Sequence, residues 1–287
     1  MPARPKPGTL HIVATPIGNL ADVTYRAVQV LGDVDLIAAE DTRRAAKLLA
    51  HYGITTRRTS FHEHNERQKT PHLLARLARG ESVAVVSDAG TPLVSDPGGR
   101  LVRAALDKGL RVEAVPGPSA VLAALVTSGF LEGSFSFVGF PPSRSNNRKL
   151  FFAGLRSEAR PVVLFEAPHR LRASLTDLQN VLGDREIAVC RELTKLHEEL
   201  VNGPISEVLR RLPRPQGELT IVLRPQDQQA LPSLPLPEGR QLLREFGHLT
   251  DSGCGRRLAI RELAGRYGVP SRRIYAAIEK ARNISVD

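Results

Sequence analysis

The sequence predicts an α/β protein with two domains, and three observations lead to this. Short apolar runs rich in β-branched residues recur along the chain and are typical of buried strands. Segments with a helical spacing of apolar residues separate most of these runs, which favours α/β domains with mainly parallel sheets. The chain has 287 residues, which is long for a single domain.

The individual elements follow from these patterns. Eight strands are predicted: Leu10–Ala14, Val34–Ala39, Val83–Ser87, Val112–Val115, Phe135–Phe140, Val162–Phe165, Ile187–Cys190 and Leu219–Leu223. Eight helices are predicted: Val23–Leu31, Thr42–Tyr52, Glu66–Arg79, Gly98–Lys108, Ser119–Ser128, Ser145–Leu155, Leu171–Leu182 and Ile205–Leu212. Asp22 and Asp41 are placed to cap helices, and Gly53 stands where a helix should end.

Four regions are predicted along the chain. The strands divide into an N-terminal α/β domain at 8–118 and a C-terminal α/β domain at 119–225. Residues 226–237 are rich in Pro and Gln and predict a semi-rigid linker. Residues 238–287 predict a small helical module, in which Arg261–Tyr267 and Ser271–Ala281 flank a tight turn. This module has the outline of a helix-turn-helix, with an ordinary helical hairpin as the alternative.

Composition restricts the classes of protein that the chain can belong to. Cys190 and Cys254 are the two cysteines and lie far apart, so a disulfide framework or a thiolate zinc site is not expected. No apolar run is long enough for a membrane helix, and the first eight residues do not resemble a secretory signal. We therefore expect a cytoplasmic protein. The net charge of +10, carried mostly by Arg, suits a polyanionic partner or simply a basic soluble surface.

Four loops rich in small or charged residues follow the first four predicted strands. They are Thr15–Asp22, Ala39–Arg44, Ser87–Gly98 and Val115–Ala120. In open α/β sheets, ligands bind beyond the carboxyl ends of the strands. Each loop alone has a plain alternative as a turn or a helix cap, but together they predict one binding site. None of them has the spacing of a dinucleotide fingerprint or a P-loop.

Three further segments carry charged or titratable residues: Phe61–Glu66, Phe165–Arg170 and Arg191–Glu199. His62 and His64 raise the question of a metal site. Their spacing does not match the usual zinc motifs, so solvated or hydrogen-bonded imidazoles are the favoured interpretation.

Seven motifs follow one another along the chain: A-T-P-I-G-N-L-x-D, A-x-E-D-T-R, F-H-E-H-N-E, S-D-A-G-T-P-L-V-S-D-P-G, P-G-P-S-A, E-A-P-H-R and R-E-L-T-K-L-H-E-E. In this order they resemble the ribosomal RNA small subunit methyltransferase I family, which belongs to the tetrapyrrole-methylase-like superfamily. The resemblance covers about Gly8 to Leu223.

The resemblance implies two α/β domains of the tetrapyrrole-methylase type with S-adenosylmethionine bound in the cleft between them. It implies 2′-O-methylation of a cytidine in the decoding region of 16S ribosomal RNA, acting as a homodimer. Carried over by motif, the residues that bind the methyl donor would be Pro16, Gly18, Asp88, Gly90, Thr91, Pro92, Ser119, Ala120, Phe165 and Gly217.

The implied reaction also names candidates for catalysis and for RNA binding. A ribose hydroxyl is a poor nucleophile until its proton is removed or polarised, and the candidates for this are Glu40, Asp41, Asp88 and Lys195. This chemistry requires no metal. Phosphate contacts are expected from Arg-rich segments, with candidates Arg43, Arg44, Arg144, Arg148, Arg272 and Arg273.

Three other functions are compatible with parts of the sequence. The same fold could methylate a tetrapyrrole or another small molecule. An α/β ligand-sensing body with a helix-turn-helix tail could regulate transcription. A ribosome-assembly factor without catalytic activity is the third. The basic tail and the motif from Phe61 to Glu66 favour an RNA substrate.

Overall fold

The computed structural model describes residues 8–131, 133–213, 216–225, 237, 239–251, 255–267 and 269–283. Its strands are β1 Thr9–Val13, β2 Leu36–Ala39, β3 Arg58–Ser60, β4 Val83–Val86, β5 Arg111–Val115, β6 Ser136–Phe137, β7 Val162–Glu166, β8 Glu186–Arg191, β9 Glu199–Pro204 and β10 Leu219–Leu223. Its helices are α1 Tyr25–Asp33, α2 Thr42–His51, α3 Glu63–Ala78, α4 Gly99–Asp107, α5 Ala120–Ser128, α6 Ser145–Gly154, α7 Leu171–Leu182, α8 Ile205–Arg211, α9 Gly239–Asp251, α10 Arg256–Tyr267 and α11 Ser271–Asn283.

The first sheet has the strand order β3-β2-β4-β1-β5, and all of its pairings are parallel. Every residue of β2 and β4 is buried, because helices cover both faces. One face packs against α3 and α4, and the other against α1 and α2. The carboxyl ends of the strands therefore meet at one edge, where the predicted loops lie.

The second sheet has the order β6-β7-β10-β8-β9, and only β6 and β7 are parallel. The expectation of mainly parallel sheets is thus wrong for this half. Strand β9 returns directly beside β8 without an intervening helix, and it was not predicted because its Glu-Leu-Val-Asn-Gly-Pro sequence has no apolar run. The short strand β3 was missed for the same reason.

Helix α5 covers one face of the second sheet, and α6, α7 and α8 lie on the other. Ala124 and Leu125 of α5 pack with Val163 and Val222 of the sheet. Ile17, from the loop after β1, is buried in the same cluster. The apolar core on this face therefore contains a residue from the first half of the chain.

Helix capping confirms two local predictions and corrects another. Asp41 caps α2, with its Oδ1 accepting a hydrogen bond from the Arg43 N–H at 2.8 Å. Gly53 follows α2 with a φ of 67°, a conformation that glycine adopts easily. Asp22 is not a cap, because it ends a short 3₁₀ helix, and the hydroxyl of Thr24 caps α1 instead.

The C-terminal segment contains three helices with a core of their own, whereas two were predicted. Leu242 and Phe246 of α9 pack against Leu263 of α10 and Ile274 of α11. The predicted linker lies largely outside the described residues, as do Cys254 and the turn residue Gly268. Within the described ranges, no helix combines the length and the apolar character needed to cross a membrane.

Candidate active site

Three of the predicted loops are joined by hydrogen bonds at the carboxyl edge of the first sheet. Thr15 and Gly90 exchange backbone hydrogen bonds of 2.9 and 3.0 Å, which couples the loop after β1 to the loop after β4. The hydroxyl of Thr91 donates to the carbonyl of Pro118 at 3.2 Å and adds the loop after β5. The structure thus brings these separate sequence segments into one wall.

This wall faces the second sheet across a cavity of about 380 Å³. The loops after β1 and β4 contribute Ile17, Ala89, Gly90, Thr91, Val94, Ser95 and Asp96 to its lining, and the start of α5 contributes Ser119, Ala120 and Val121. The opposite side comprises Phe140, Phe165, Glu166, Ala167, Pro168, Leu193, Gly217, Glu218, Leu219 and Thr220. The cavity is mostly apolar with a few polar groups, as small-molecule sites usually are.

Six of the predicted donor-binding residues line this cavity: Gly90, Thr91, Ser119, Ala120, Phe165 and Gly217. Four others, Pro16, Gly18, Asp88 and Pro92, are not among the lining residues. Ser119 caps α5, and Ala120 and Val121 form its first turn beside the cavity. Amide groups in a first turn lack helical partners and attract anions or polar ligand edges.

Gly18 holds the two halves of the chain together rather than lining the cavity. A Cβ atom on Gly18 would lie 2.5 Å from Cγ of Lys195 and 2.7 Å from both the Leu193 carbonyl and the Thr194 hydroxyl. That hydroxyl also accepts a hydrogen bond from the Asn19 N–H at 3.0 Å. The absence of a side chain at Gly18 permits this close contact between the halves.

The loop after β4 has a strained backbone. Leu93 and Ser95 have φ values of 72° and 68°, which non-glycine residues seldom adopt. Strained backbone of this kind concentrates at functional sites. The next residue, Asp96, lies in the cavity wall. Burial, followed by the negative charge of Glu40, raises the pKa of Asp96 to about 6, against a hydrogen bond from Ser87.

Two of the catalytic candidates, Glu40 and Asp88, are in direct contact. The Asp88 N–H donates to Oε2 of Glu40 at 3.2 Å, and Oδ1 of Asp88 accepts from the Asp41 N–H at 3.0 Å. Arg44 forms an ion pair with Asp88 at 3.3 Å. Burial raises the pKa of Glu40, and the charge of Asp88 adds to this effect. Glu40 is therefore a better proton acceptor near neutral pH than an ordinary glutamate.

The other two catalytic candidates are less suited to accept a proton. Hydrogen bonds from Arg43 lower the pKa of Asp41 to about 2, so it is a weak base. Lys195 lies on the opposite side of the cleft and forms ion pairs of 2.8 Å with Glu192 and 2.9 Å with Glu218. Burial acts to lower the pKa of Lys195, but these two carboxylates outweigh it and raise the pKa. The ammonium group is thus held in its charged form.

Hydrogen bonds and an ion pair hold the motif Glu166–Arg170, whose first three residues line the cavity. Both carboxylate oxygens of Glu166 are engaged: Oε1 accepts from the Ala167 N–H at 2.9 Å, and Oε2 accepts from the Ser174 hydroxyl. Arg170 pairs with Glu166 at 3.2 Å and donates to the carbonyl of Pro141 at 2.6 Å. These bonds fix Ala167 and the segment that leads to Phe140.

The prediction that Arg148 contacts RNA is wrong, because its side chain is buried. Its guanidinium donates to Asp177 at 2.6 and 2.9 Å and to the carbonyl of Ser143 at 2.9 Å. The side chain is only 5% exposed. It therefore stabilises the junction of α6 and α7 and is not available to a phosphate.

The remaining predicted RNA contacts are exposed but differ in their ionic partners. Arg43 and Arg44 are paired with Asp41 and Asp88 at 2.9 and 3.3 Å. Arg144 is exposed at the start of α6, and Arg272 and Arg273 are exposed in the first turn of α11. Their placement on the surface is compatible with phosphate contacts.

His62 and His64 are adjacent, with ring centroids 5.9 Å apart. The Nε2 atom of His62 lies 3.0 Å from the side-chain amide of Asn65, within the capping box of α3. In the part of the chain that the structure describes, no three His, Cys, Asp or Glu side chains are grouped to hold a metal ion.

Sequence reasoning missed Asp96 and Phe140 as residues of the site. Asp96 belongs to a loop that was singled out, but nothing in the sequence distinguishes it from Asp88 in the same loop. Phe140 was predicted to end a strand, whereas the strand stops at Phe137 and leaves Phe140 at the cleft, 53% exposed. The only sequence feature that could have indicated the exposure of Phe140 is that this large aromatic residue follows Gly139.

The chain matches a known protein family and resembles several solved structures. The model of the family described as Tetrapyrrole (Corrin/Porphyrin) Methylases matches residues 9–209. Among solved structures, a diphthine synthase has a TM-score of 0.63 at 15% identity, covering 76% of this chain and 90% of that one. Uroporphyrin-III C-methyltransferase from Thermus thermophilus, complexed with S-adenosylhomocysteine, has a TM-score of 0.56 at 18% identity, covering 76% and 97%.

Curated relatives are much closer in sequence. A ribosomal RNA small subunit methyltransferase I from Synechocystis is 44% identical over 93% of this chain and 96% of its own length. Another with this name, from Thermotoga maritima, is 46% identical over 75% of this chain and 98% of its own. The chain therefore belongs to the tetrapyrrole methylase family and, within it, to the ribosomal RNA small subunit methyltransferase I family.

Proposed function

We propose that this protein transfers a methyl group from S-adenosylmethionine to the ribose 2′-oxygen of a cytidine in the decoding region of 16S ribosomal RNA. The observation that carries the proposal is the cavity between the two sheets, which the loops joined by Thr15, Gly90 and Thr91 form at the carboxyl edge. It occurs in a chain whose relatives are named as methyltransferases of the small ribosomal subunit RNA.

The residues of the cavity fit a sulfonium nucleoside. Its volume of about 380 Å³ and its apolar walls suit a ligand of this size. The first turn of α5, at Ala120 and Val121, offers amide groups to a carboxylate. Asp96 can accept hydrogen bonds from an amine or a hydroxyl. When bound, the donor supplies an electrophilic methyl group, and no metal is needed.

Positioning is the main contribution of the protein to this reaction. With the donor bound, the cavity wall would hold its methyl group where the 2′-oxygen can reach it, and the ribose hydroxyl would have to lose one proton. Glu40 is the candidate to receive it, because its pKa is raised and it lies among the loops at the carboxyl edge. The exposed ring of Phe140, at the rim of the cavity, offers a face on which an unstacked base can lie.

The proposal includes two further expectations. Homodimer formation follows from the family resemblance. A cytoplasmic location fits a ribosomal substrate and the low cysteine content.

The test is to incubate the protein with labelled S-adenosylmethionine and small ribosomal subunits that lack the modification. We expect label on the ribose of one cytidine of 16S RNA, located by nuclease digestion and mass spectrometry. Tetrapyrrole precursors serve as the competing acceptor. Label on the tetrapyrrole alone, or on a base rather than a ribose, would contradict the proposal.

Two variants of α5 provide a matched pair for this assay. Ala120→Phe places a ring in the cavity wall and should abolish donor binding and turnover. Val126→Phe places the same ring on the exposed side of the same helix, 66% exposed, and should leave both unchanged.

A further inference from the structure

A second cavity lies away from the proposed active site, between α3 and the edge strand β3. Its volume is about 410 Å³. Leu36 and Leu73 are its buried apolar residues, and the other lining residues are polar or basic: Thr59, Gln68, Lys69, His72 and Arg76. No carboxylate lines it.

The basic residues of this cavity are positioned to bind an anion. The ammonium of Lys69 donates to the hydroxyl of Thr59 at 2.6 Å, and no ion pair of Lys69 occurs within the described residues. Arg76 pairs with Glu81, but its buried Nε has no hydrogen-bond partner in the part of the chain that is described. Both side chains line the cavity and retain donors that no described residue accepts.

Two more cations lie at the start of the adjoining edge strand β3. Arg57 and Arg58 are exposed, and neither forms an ion pair with any described residue. By contrast, Arg43 and Arg44 are each paired with an aspartate. Nearby carboxylates therefore neutralise less of the positive charge along the edge strand than they do at Arg43 and Arg44.

Helix α3 connects this cavity to the active site. His62 immediately precedes the helix, and the N–H of the residue before it, Phe61, donates to the carbonyl of Ala39 at 2.7 Å, next to Glu40 at the carboxyl edge of the sheet. At 1.5 Å per residue, Lys69 lies about 10 Å and Arg76 about 20 Å farther along the helix axis. A polynucleotide strand that leaves the cleft along α3 would meet these residues within a few nucleotides.

We infer that this cavity binds the phosphate backbone of the RNA next to the methylated nucleotide. None of the arginines predicted from the sequence to contact phosphate lines this second cavity. The inference rests on the proposed function, since it assumes that the acceptor is RNA. The apolar floor at Leu36 and Leu73 leaves room for a ribose or base, while Lys69 and Arg76 contact the phosphate.

The test is the variant Lys69→Glu, with Lys108→Glu as the control. Lys108 is exposed at the end of α4 and undergoes the same change of charge. Three quantities are measured for each: binding of a decoding-region RNA without donor at several salt concentrations, KM and kcat on small subunits, and donor affinity. Lys69→Arg restores the charge and serves as the rescue variant.

For Lys69→Glu we expect the RNA Kd and KM to rise about tenfold and the salt slope to fall by about one, because a phosphate contact is lost. Donor affinity and kcat should stay within about twofold, which also shows that the variant is folded. Lys69→Arg should bind RNA like the unmodified protein.

The inference is overturned if Lys69→Glu binds RNA normally or if Lys108→Glu weakens binding equally. It is also overturned if sedimentation shows that Lys69→Glu changes the oligomeric state, since the cavity would then be a protein interface. Failure of the unmodified protein to methylate RNA would refute the proposed function. The binding series without donor would still decide whether this cavity contacts RNA.

Discussion

Arg144 and Arg148 lie one helical turn apart, yet their side chains occupy opposite environments. Arg148 is buried against Asp177 and accounts for the packing of α6 on α7, whereas Arg144 is exposed. Breaking a buried ion pair leaves an uncompensated charge and is strongly destabilising. Sequence alone treats the two residues as equivalent members of a basic segment.

We predict that Arg148→Ala lowers the free energy of unfolding by about 3 kcal/mol, because Asp177 loses its closest partner and, among the described residues, keeps only the Ser145 hydroxyl at 2.9 Å and the half-exposed Lys149 at 3.6 Å. Arg144→Ala should change it by less than about 0.5 kcal/mol, as exposed substitutions usually do. Urea denaturation measures both. Equal stabilities would mean that the ion pair contributes nothing to folding.

Asp96 lies in the wall of the proposed donor site, and ionising it there destabilises the folded protein. The folded chain raises its pKa from 3.8 to about 6. The folded state therefore holds this proton more tightly than the unfolded state, so stability without donor falls as pH rises through about 4 to 6. Above that range, the ionised carboxylate is available to the donor but is destabilising.

We predict that Asp96→Asn stabilises the donor-free protein by about 1 kcal/mol at pH 7.5, a value reduced for solvent screening of this half-buried group. The same variant should weaken donor binding about tenfold through loss of a charged hydrogen bond. Thermal unfolding and calorimetric titration from pH 5 to 8 check both effects. Unchanged donor affinity would remove Asp96 from the binding site.

At the scale of elements, the loop after β1 and the segment Leu193–Lys195 form a close contact between the two halves. The contact depends on Gly18, because a side chain there would overlap three atoms of the opposite segment. The four strand-end loops were predicted from turn-forming residues. The segment Arg191–Glu199 was singled out for its charged residues, but its contact with Gly18 was not expected. It lies between β8 and β9 of the second sheet, whose mostly antiparallel order the alternation of elements did not reveal.

We predict that Gly18→Ala pushes the two segments apart and weakens donor binding at least about tenfold. Small displacements of the groups at a preorganised site lower binding and catalysis strongly. Gly32→Ala is the matched control, because a Cβ atom on this helical glycine of α1 meets nothing within 4 Å. It should stabilise the protein by about 0.5–1 kcal/mol through helix propensity. Calorimetry and thermal unfolding distinguish the two variants.

At the scale of the whole molecule, the C-terminal helices α9, α10 and α11 have a separate core. Arg272 and Arg273 are exposed at the start of α11, as the helix-turn-helix interpretation requires. Because net charge acts over long range, such residues can contribute to RNA affinity without contacting the reacting nucleotide.

We predict that changing both Arg272 and Arg273 to Glu weakens binding of small-subunit RNA and lowers its salt dependence by about two units, one for each lost phosphate contact. Donor affinity should not change, because neither residue lines the cavity. Filter binding over a salt series measures this. An unaltered salt slope would reject an RNA-binding role for α11.

Local sequence patterns suffice to predict the α/β class, most helix bounds and the loops of the first sheet, because hydrophobic periodicity and turn chemistry involve residues close together in the chain. The sequence also contains the motifs of the family and marks the loop that holds Asp96. The mostly antiparallel order of the second sheet, the burial of Arg148 and the exposure of Phe140 became visible only in the folded molecule. Each of these depends on contacts between residues far apart in the chain, and no local pattern encodes such contacts.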